Sequence, residues 1–303
     1  MLEFSESKNL ERKMKLLVLY FLIIILILFF LLTIFFYFIP YYKEIKDAYE
    51  FSDYVLGGII IIIIRIVVMI GLGYVLFKKW ILHKESHYTD IPFLLGIFSY
   101  IYIFGKVLDI ICYSTYVNIK FIGNFSELFL LELSKLRVII TNVNMLPIFL
   151  IGIYFYFFRR SLKKEDTQKE KNARKNTTLF LLIFYFSILI ILSLLNNIQY
   201  LSLLSGVATL SGFSLLIWVF ITAHKGKILP EIRSLTIGIG FILLLLFNFL
   251  FSIMIVLFSN LSLSNVILAN ITSESGAIIL YTSEGGNLVA TIIILIGFTK
   301  KKP

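Results

Sequence analysis

Apolar runs follow one another along nearly the whole chain, separated by short polar stretches. A hydrocarbon core about 30 Å thick needs ~20 apolar residues per helix, and eight runs meet that length. They cover 16–39, 55–77, 91–113, 138–158, 177–195, 200–223, 235–258 and 280–299. The first is uncharged and ends at Pro40. It is far longer than a secretory h-region of ~7–15 residues, and no small-residue cleavage site follows, so it reads as an uncleaved span. The second is interrupted only by Arg65, the third carries Lys106 and Asp109, and the fourth contains Asn142, Asn144 and Pro147. No Lys, Arg, Asp or Glu occurs between Thr177 and Ala223, which is enough chain for two helices, with Asn196-Asn197-Ile198-Gln199 as the turn. The last run is the weakest. Ser283-Glu284-Gly285-Gly286-Asn287 stands near its start, so it reads as a helix broken at the glycines or as a short helix beginning at Asn287. Pro147 is a candidate kink. The pattern predicts an all-α fold: a polytopic transmembrane helical bundle of about eight spans, forming one integral membrane domain over 1–303.

Two weaker periodicities lie outside these runs. Phe125, Leu128, Leu131 and Leu136 recur at helical spacing, which predicts a short amphipathic helix within 114–137. Segment 159–176 reads as a highly charged linker. Small residues at Ser205, Ala208, Thr209 and Gly212 form a face that lets a neighbouring helix approach, with Gly238 and Gly240 as a counterpart.

Composition agrees with lipid as the solvent. The chain is 59% hydrophobic and 15% charged, with mean hydropathy +0.94, against about 25% charged in soluble domains. The net charge of +10 does not point to nucleic acid, because the basic residues sit in short stretches between the apolar runs. With the N-terminus inside, the inner segments hold 21 Lys and Arg and the outer loops hold 5. That bias places both termini in the cytoplasm. It also favours the last span, without which Lys300, Lys301 and Lys302 would lie outside. Arg159, Arg160, Lys163, Lys164, Lys169, Lys171, Arg174 and Lys175 form the densest basic stretch. They are candidate contacts for anionic lipid head groups or a cytoplasmic protein partner. Tyr37, Tyr41, Tyr42, Tyr54 and Tyr200 fall at predicted outer boundaries, where such rings settle.

Ionisable groups inside a membrane are costly, by ~2.5–3.5 kcal/mol on insertion scales, and are therefore the default site candidates. They are Arg65, Lys106, Asp109 and Glu284, with Asn142 and Asn144 as polar neighbours; by their positions in the runs all lie from mid-membrane outward. Lys106 and Asp109 share a helix face at i,i+3. The residues either converge on a polar cavity open to the outside, taking a small ligand or ion, or pair locally as scaffold.

Several classes find no support. His83, His87 and His224 all lie near the inner surface, away from where haem ligands would sit. His83 and His87 are four apart without a third ligand, so no metal is expected. The single Cys112 forms no internal disulfide. No P-loop is present, and no embedded base or lysine within the last span suits an intramembrane protease or a retinal protein. No cofactor is expected. Asn124, Asn260 and Asn270 begin glycosylation sequons in predicted outer loops. The outline is generically similar to membrane sensor modules that precede signalling domains. Three functions stand: a receptor-like ligand sensor, a small solute or ion transporter, and a lipid-handling enzyme or assembly subunit.

Overall fold

In lipid every backbone N–H and C=O must be satisfied within its own segment, so long apolar runs become helices. The computed structural model describes residues 2–50, 53–83, 87–121, 126–162, 168–194, 198–229, 231–258 and 274–299. All regular structure among them is helical. The helices are α1 (Leu2–Thr33), α2 (Tyr42–Glu50), α3 (Asp53–Leu82), α4 (Ile91–Phe121), α5 (Glu127–Ser161), α6 (Gln168–Leu194), α7 (Ile198–Lys225), α8 (Ser234–Phe258) and α9 (Glu274–Thr299). Seven are long and apolar enough to cross a membrane among the described residues. They mark the chain as a multi-pass membrane protein. Helix α8 contributes a shorter apolar stretch, Ser234–Phe249, to that search.

Six helices close a ring in the order α3, α4, α5, α7, α8, α9 and back to α3. Neighbours α3–α4 and α8–α9 run antiparallel: Phe77 meets Gly96, and Gly240 and Gly297 meet Ile294 and Ile237. Where the ring skips α6, α5 and α7 run parallel, as Gly212–Met145 and Gly152–Leu215 show. The closing pair α9–α3 is parallel too, with Gly57 and Gly58 against Tyr281 and Leu280 and, further along both helices, Arg65 against Glu284. Helix α6 lies outside the ring on α5. Its face carries exposed Phe180, Phe184, Phe186 and Ile190, which suits contact with lipid. Helix α1 is peripheral in the same way. It ends in a π-type turn, Ile34–Phe38, just before Pro40, whose ring cannot continue a helix. That turn aims the Tyr37 hydroxyl at α4, 2.7 Å from Thr115 Oγ1 and 3.1 Å from the Ile111 carbonyl.

Four local expectations are corrected. Helix α9 is continuous through Ser283–Asn287, neither broken at Gly285-Gly286 nor begun at Asn287. Buried contacts on both sides stabilise it, and Gly286 lies close against Phe247. The amphipathic pattern around Leu128–Leu136 is no separate helix but the first turns of α5, capped by the Ser126 hydroxyl accepting from Phe129 N. The basic linker is shorter than 159–176, because α5 runs to Ser161 and α6 starts at Gln168. Gly238 and Gly212 do not face each other: Gly212 meets Met145 of α5, Gly238 meets α7, and Gly240 meets α9. Helix α5 continues through Pro147. The turn residues Asn196 and Asn197, the sequons at Asn124, Asn260 and Asn270, and Lys163, Lys164 and Lys300–Lys302 lie outside the described residues.

A Cβ on Gly240 would stand 2.5 Å from Ile294 Cγ1, 3.1 Å from the Ala290 carbonyl oxygen and 3.2 Å from Ile294 N, so even if the side chain moved aside the α9 backbone would limit the space. Gly240→Leu is expected to pry α8 from α9 and cost about 1–3 kcal/mol. Thermal denaturation in detergent should show it, with Gly206→Leu as the control, since nothing lies within 4 Å of a Cβ there.

Candidate functional site

The inward faces of the ring divide into two halves. Toward one end, Leu72 and Leu76 of α3, Leu95 of α4, and Ile294 and Phe298 of α9 pack into an apolar plug. A small cavity there, lined also by Ser99 and Thr291, has room for about one water molecule. Toward the other end the same helices present charge. Helical spacing puts Arg65 one turn from buried Ile62 and Met69 on α3, Tyr102, Lys106 and Asp109 on one face of α4, and Glu284, Asn287 and Thr291 on one face of α9.

These charges meet. Arg65 Nη1 donates to Glu284 Oε2 at 2.7 Å, and Lys106 Nζ donates to Glu284 Oε1 at 2.8 Å. Lys106 Nζ also lies 2.8 Å from Asp109 Oδ2, and Arg137 Nε donates to Asp109 Oδ1. The result is one chain of alternating sign, Arg65–Glu284–Lys106–Asp109–Arg137, drawn from α3, α9, α4 and α5. Arg65, Lys106, Asp109 and Glu284 are buried, while the Arg137 side chain keeps 45% of its surface exposed. Each carboxylate has both oxygens engaged. The Tyr102 ring lies 4.9 Å from the Arg65 guanidinium and 5.7 Å from Lys106 Nζ, close enough for cation–π attraction with both. The Arg65 Nε has no partner among the described residues.

The four ionisable residues singled out from the sequence are thus brought together. They fill the space between helices with one another, and none of them lines the small cavity. Asn142 and Asn144 stand apart from the chain. Asn142 Nδ2 donates to the Val138 carbonyl of its own helix at 2.9 Å. Asn144 is buried, and its Oδ1 lacks a partner among the described residues. Sequence reasoning missed Arg137 and Tyr102. Counting ~20 apolar residues back from the arginines at the far end of α5 reaches Val138, so Arg137 reads as a loop residue. Charge counting gave no signal for it either, because Arg65, Lys106, Asp109 and Glu284 already balance and Arg137 makes three cations against two anions. A second polar contact was also missed. Asn248 Nδ2 of α8 donates to Asn287 Oδ1 at 3.2 Å, and Thr291 Oγ1 donates to the Asn287 carbonyl. The polar stripe of α9 therefore extends from Glu284 toward the small cavity.

At the opposite end of the bundle, Arg159, Arg160, Lys169, Lys171, Arg174 and Lys175 are exposed. Arg160 Nε lies 2.8 Å from Glu170 Oε1 and ties the end of α5 to the start of α6. His83 and His87 are exposed, and no metal-ligand group occurs among the described residues. The chain matches no known protein family, no curated protein and no solved structure.

Removing one member of a buried ion pair leaves its partner uncompensated, which costs about 3–5 kcal/mol, whereas replacing both by apolar groups is often neutral. Glu284→Gln is therefore expected to lower thermal stability strongly. Arg65→Leu combined with Glu284→Leu should lose less than the sum of the two single changes. Additive losses in a double-mutant cycle would show that the two side chains do not interact.

Proposed function

We propose that the protein is a receptor-like membrane module whose ion chain is a latch between helices, released or tightened by a ligand on the outer side. The observation that carries this reading is that one chain of ion pairs fastens α3, α4, α5 and α9 together and reaches the surface at one end only. Breaking any link changes the balance among four helices at once, and packed helices respond to such a change by shifting between discrete arrangements. The apolar plug in the other half of the ring argues against a standing conduit. Helices α3 and α5 run from the latch to the far end of the bundle, where the exposed basic groups of α5 and α6 would meet anionic lipid or a cytoplasmic partner. In the matching topology eight spans cross the membrane with both termini in the cytoplasm, supported by 21 Lys and Arg on one side against 5 on the other.

A small solute or ion transporter is the second reading. It is favoured by the α9 stripe, in which Glu284, Asn287 and Thr291 lead from the ion chain to the cavity beside Ser99. A lipid-handling enzyme draws no support from any described group.

Spin labels at the far ends of α3 and α5 separate the two readings. Leu82 and Leu162 are 66% and 61% exposed, so Leu82→Cys and Leu162→Cys in a Cys112→Ala background give a labelled pair. Glu284→Gln is expected to shift their distance distribution by ~2 Å, the scale of helix shifts in switching proteins. An unmoved distribution, together with solute flux in liposomes that Glu284→Gln abolishes, would replace the sensor with the transporter.

A further inference from the structure

The ion chain is electrically and chemically lopsided. It holds three cations and two carboxylates. All four carboxylate oxygens already accept from or lie beside a cation, so a metal ion could enter only by displacing one. What is left over is donor capacity. Among the described residues Arg65 Nε is unpartnered and Arg137 commits only Nε, leaving the two terminal nitrogens of its guanidinium uncommitted. Those nitrogens form the planar fork that matches a carboxylate or phosphate in bidentate fashion.

Position singles out Arg137 over Arg65. Arg65 is 1% exposed, whereas Arg137 is 45% exposed. The apolar stretch of α5 is bounded by Arg137 before Val138 and by Arg159–Arg160 after Phe158. The stretch between them is close to the ~20 residues that a hydrocarbon core requires. Arg137 therefore stands at head-group depth on the predicted outer side, where water and lipid phosphates are both within reach. One negative charge on its fork would bring the chain to neutrality, and uncompensated charge is what a low-dielectric interior penalises.

We propose that Arg137 is the docking point for a singly charged oxyanion, a carboxylate or a phosphate, and that this oxyanion is the ligand of the latch. The binding site stands on the chain's geometry, and only its signalling role rests on the sensor reading above. Two sources share this chemistry, a free small anion and a phospholipid head group.

The test uses the full-length protein, delipidated in an uncharged detergent. In one arm inorganic phosphate and acetate are titrated in and binding is read by calorimetry. In the other, native mass spectrometry counts phosphatidylglycerol retained on release from nanodiscs. Loss of a bidentate charged contact should weaken binding about tenfold or more in Arg137→Gln. Arg137→Lys keeps the charge beside Asp109 but not the fork, so it should weaken binding less, and it carries the test if the glutamine variant does not fold. Lys225→Gln, an exposed charge at the far end of α7, should bind as the wild type does. Saturable phosphate or acetate binding identifies a free anion, and phosphatidylglycerol retention that depends on Arg137 without a response to free anions identifies a head group. Unchanged binding in both Arg137 variants, or no binding of any of the three probes, overturns the proposal. Oxyanion binding that leaves the spin-label distances unmoved would sink the sensor reading and leave this site standing. A label shift in Glu284→Gln without oxyanion binding would do the reverse.

Discussion

A charge placed among lipid-solvated helices must find an opposite charge or be driven out, and that constraint organises this protein. Arg65 and Lys106 on their own would each make insertion unfavourable. Glu284 takes both, with one oxygen for each cation. Because Glu284 belongs to α9 and its partners belong to α3 and α4, pairing fixes more than two side chains. It requires α9 to return to α3 and close the ring, although the two helices lie far apart in the sequence and run parallel. Asp109 repeats the logic on the other side, accepting from Lys106 of its own helix and from Arg137 of α5. The chain of charges therefore specifies which helix stands beside which. The lipid-driven apolar effect cannot do this, since one leucine-rich face resembles another.

The same constraint explains the unequal halves of the ring interior. Where no charge needs compensation, small residues let backbones approach, as at Gly240 and Gly297 between α8 and α9, and aromatic rings fill the rest. Phe213, Phe220, Phe241 and Phe298 pack ring against ring across α7, α8 and α9, tilted, stacked and edge to face in turn. Such packing tolerates little displacement. The polar half is held by a few directional contacts that an external ion could exchange. One half is thus held by close packing and the other by directional ion pairs, which is the arrangement the proposed latch would need.

Much of this was legible from the chain itself. The apolar runs gave the helices, because lipid forces helix formation on any such run. The four buried ionisable groups stood out because charge is so rare in those runs. What was not legible had identifiable physical causes. Gly285 and Gly286 read as a break, since glycine costs ~1 kcal/mol in a water-exposed helix, but within the packed bundle the absence of a side chain at Gly286 makes room for Phe247. Arg137 read as loop because hydropathy ends a span at the first charge and cannot show that the helix continues past it. The exclusion of α6 from the ring has no sequence signal beyond its lack of buried polar groups. The two asparagines of the fourth run drew attention by polarity alone, and Asn142 proves to spend its amide on its own helix.

The surplus positive charge narrows what the proposed latch could respond to. A guanidinium does not give up its proton in a protein, so neither Arg65 nor Arg137 can neutralise the chain by titration. Lys106 lies 2.8 Å from both Asp109 and Glu284, and removing its proton would take away the positive charge that stands between two carboxylates. A metal ion would add to the surplus and would have to evict a cation already in place. The remaining way for the chain to shed its excess charge is to gain an anion, and the end of the chain that reaches the surface is the end with an open guanidinium fork.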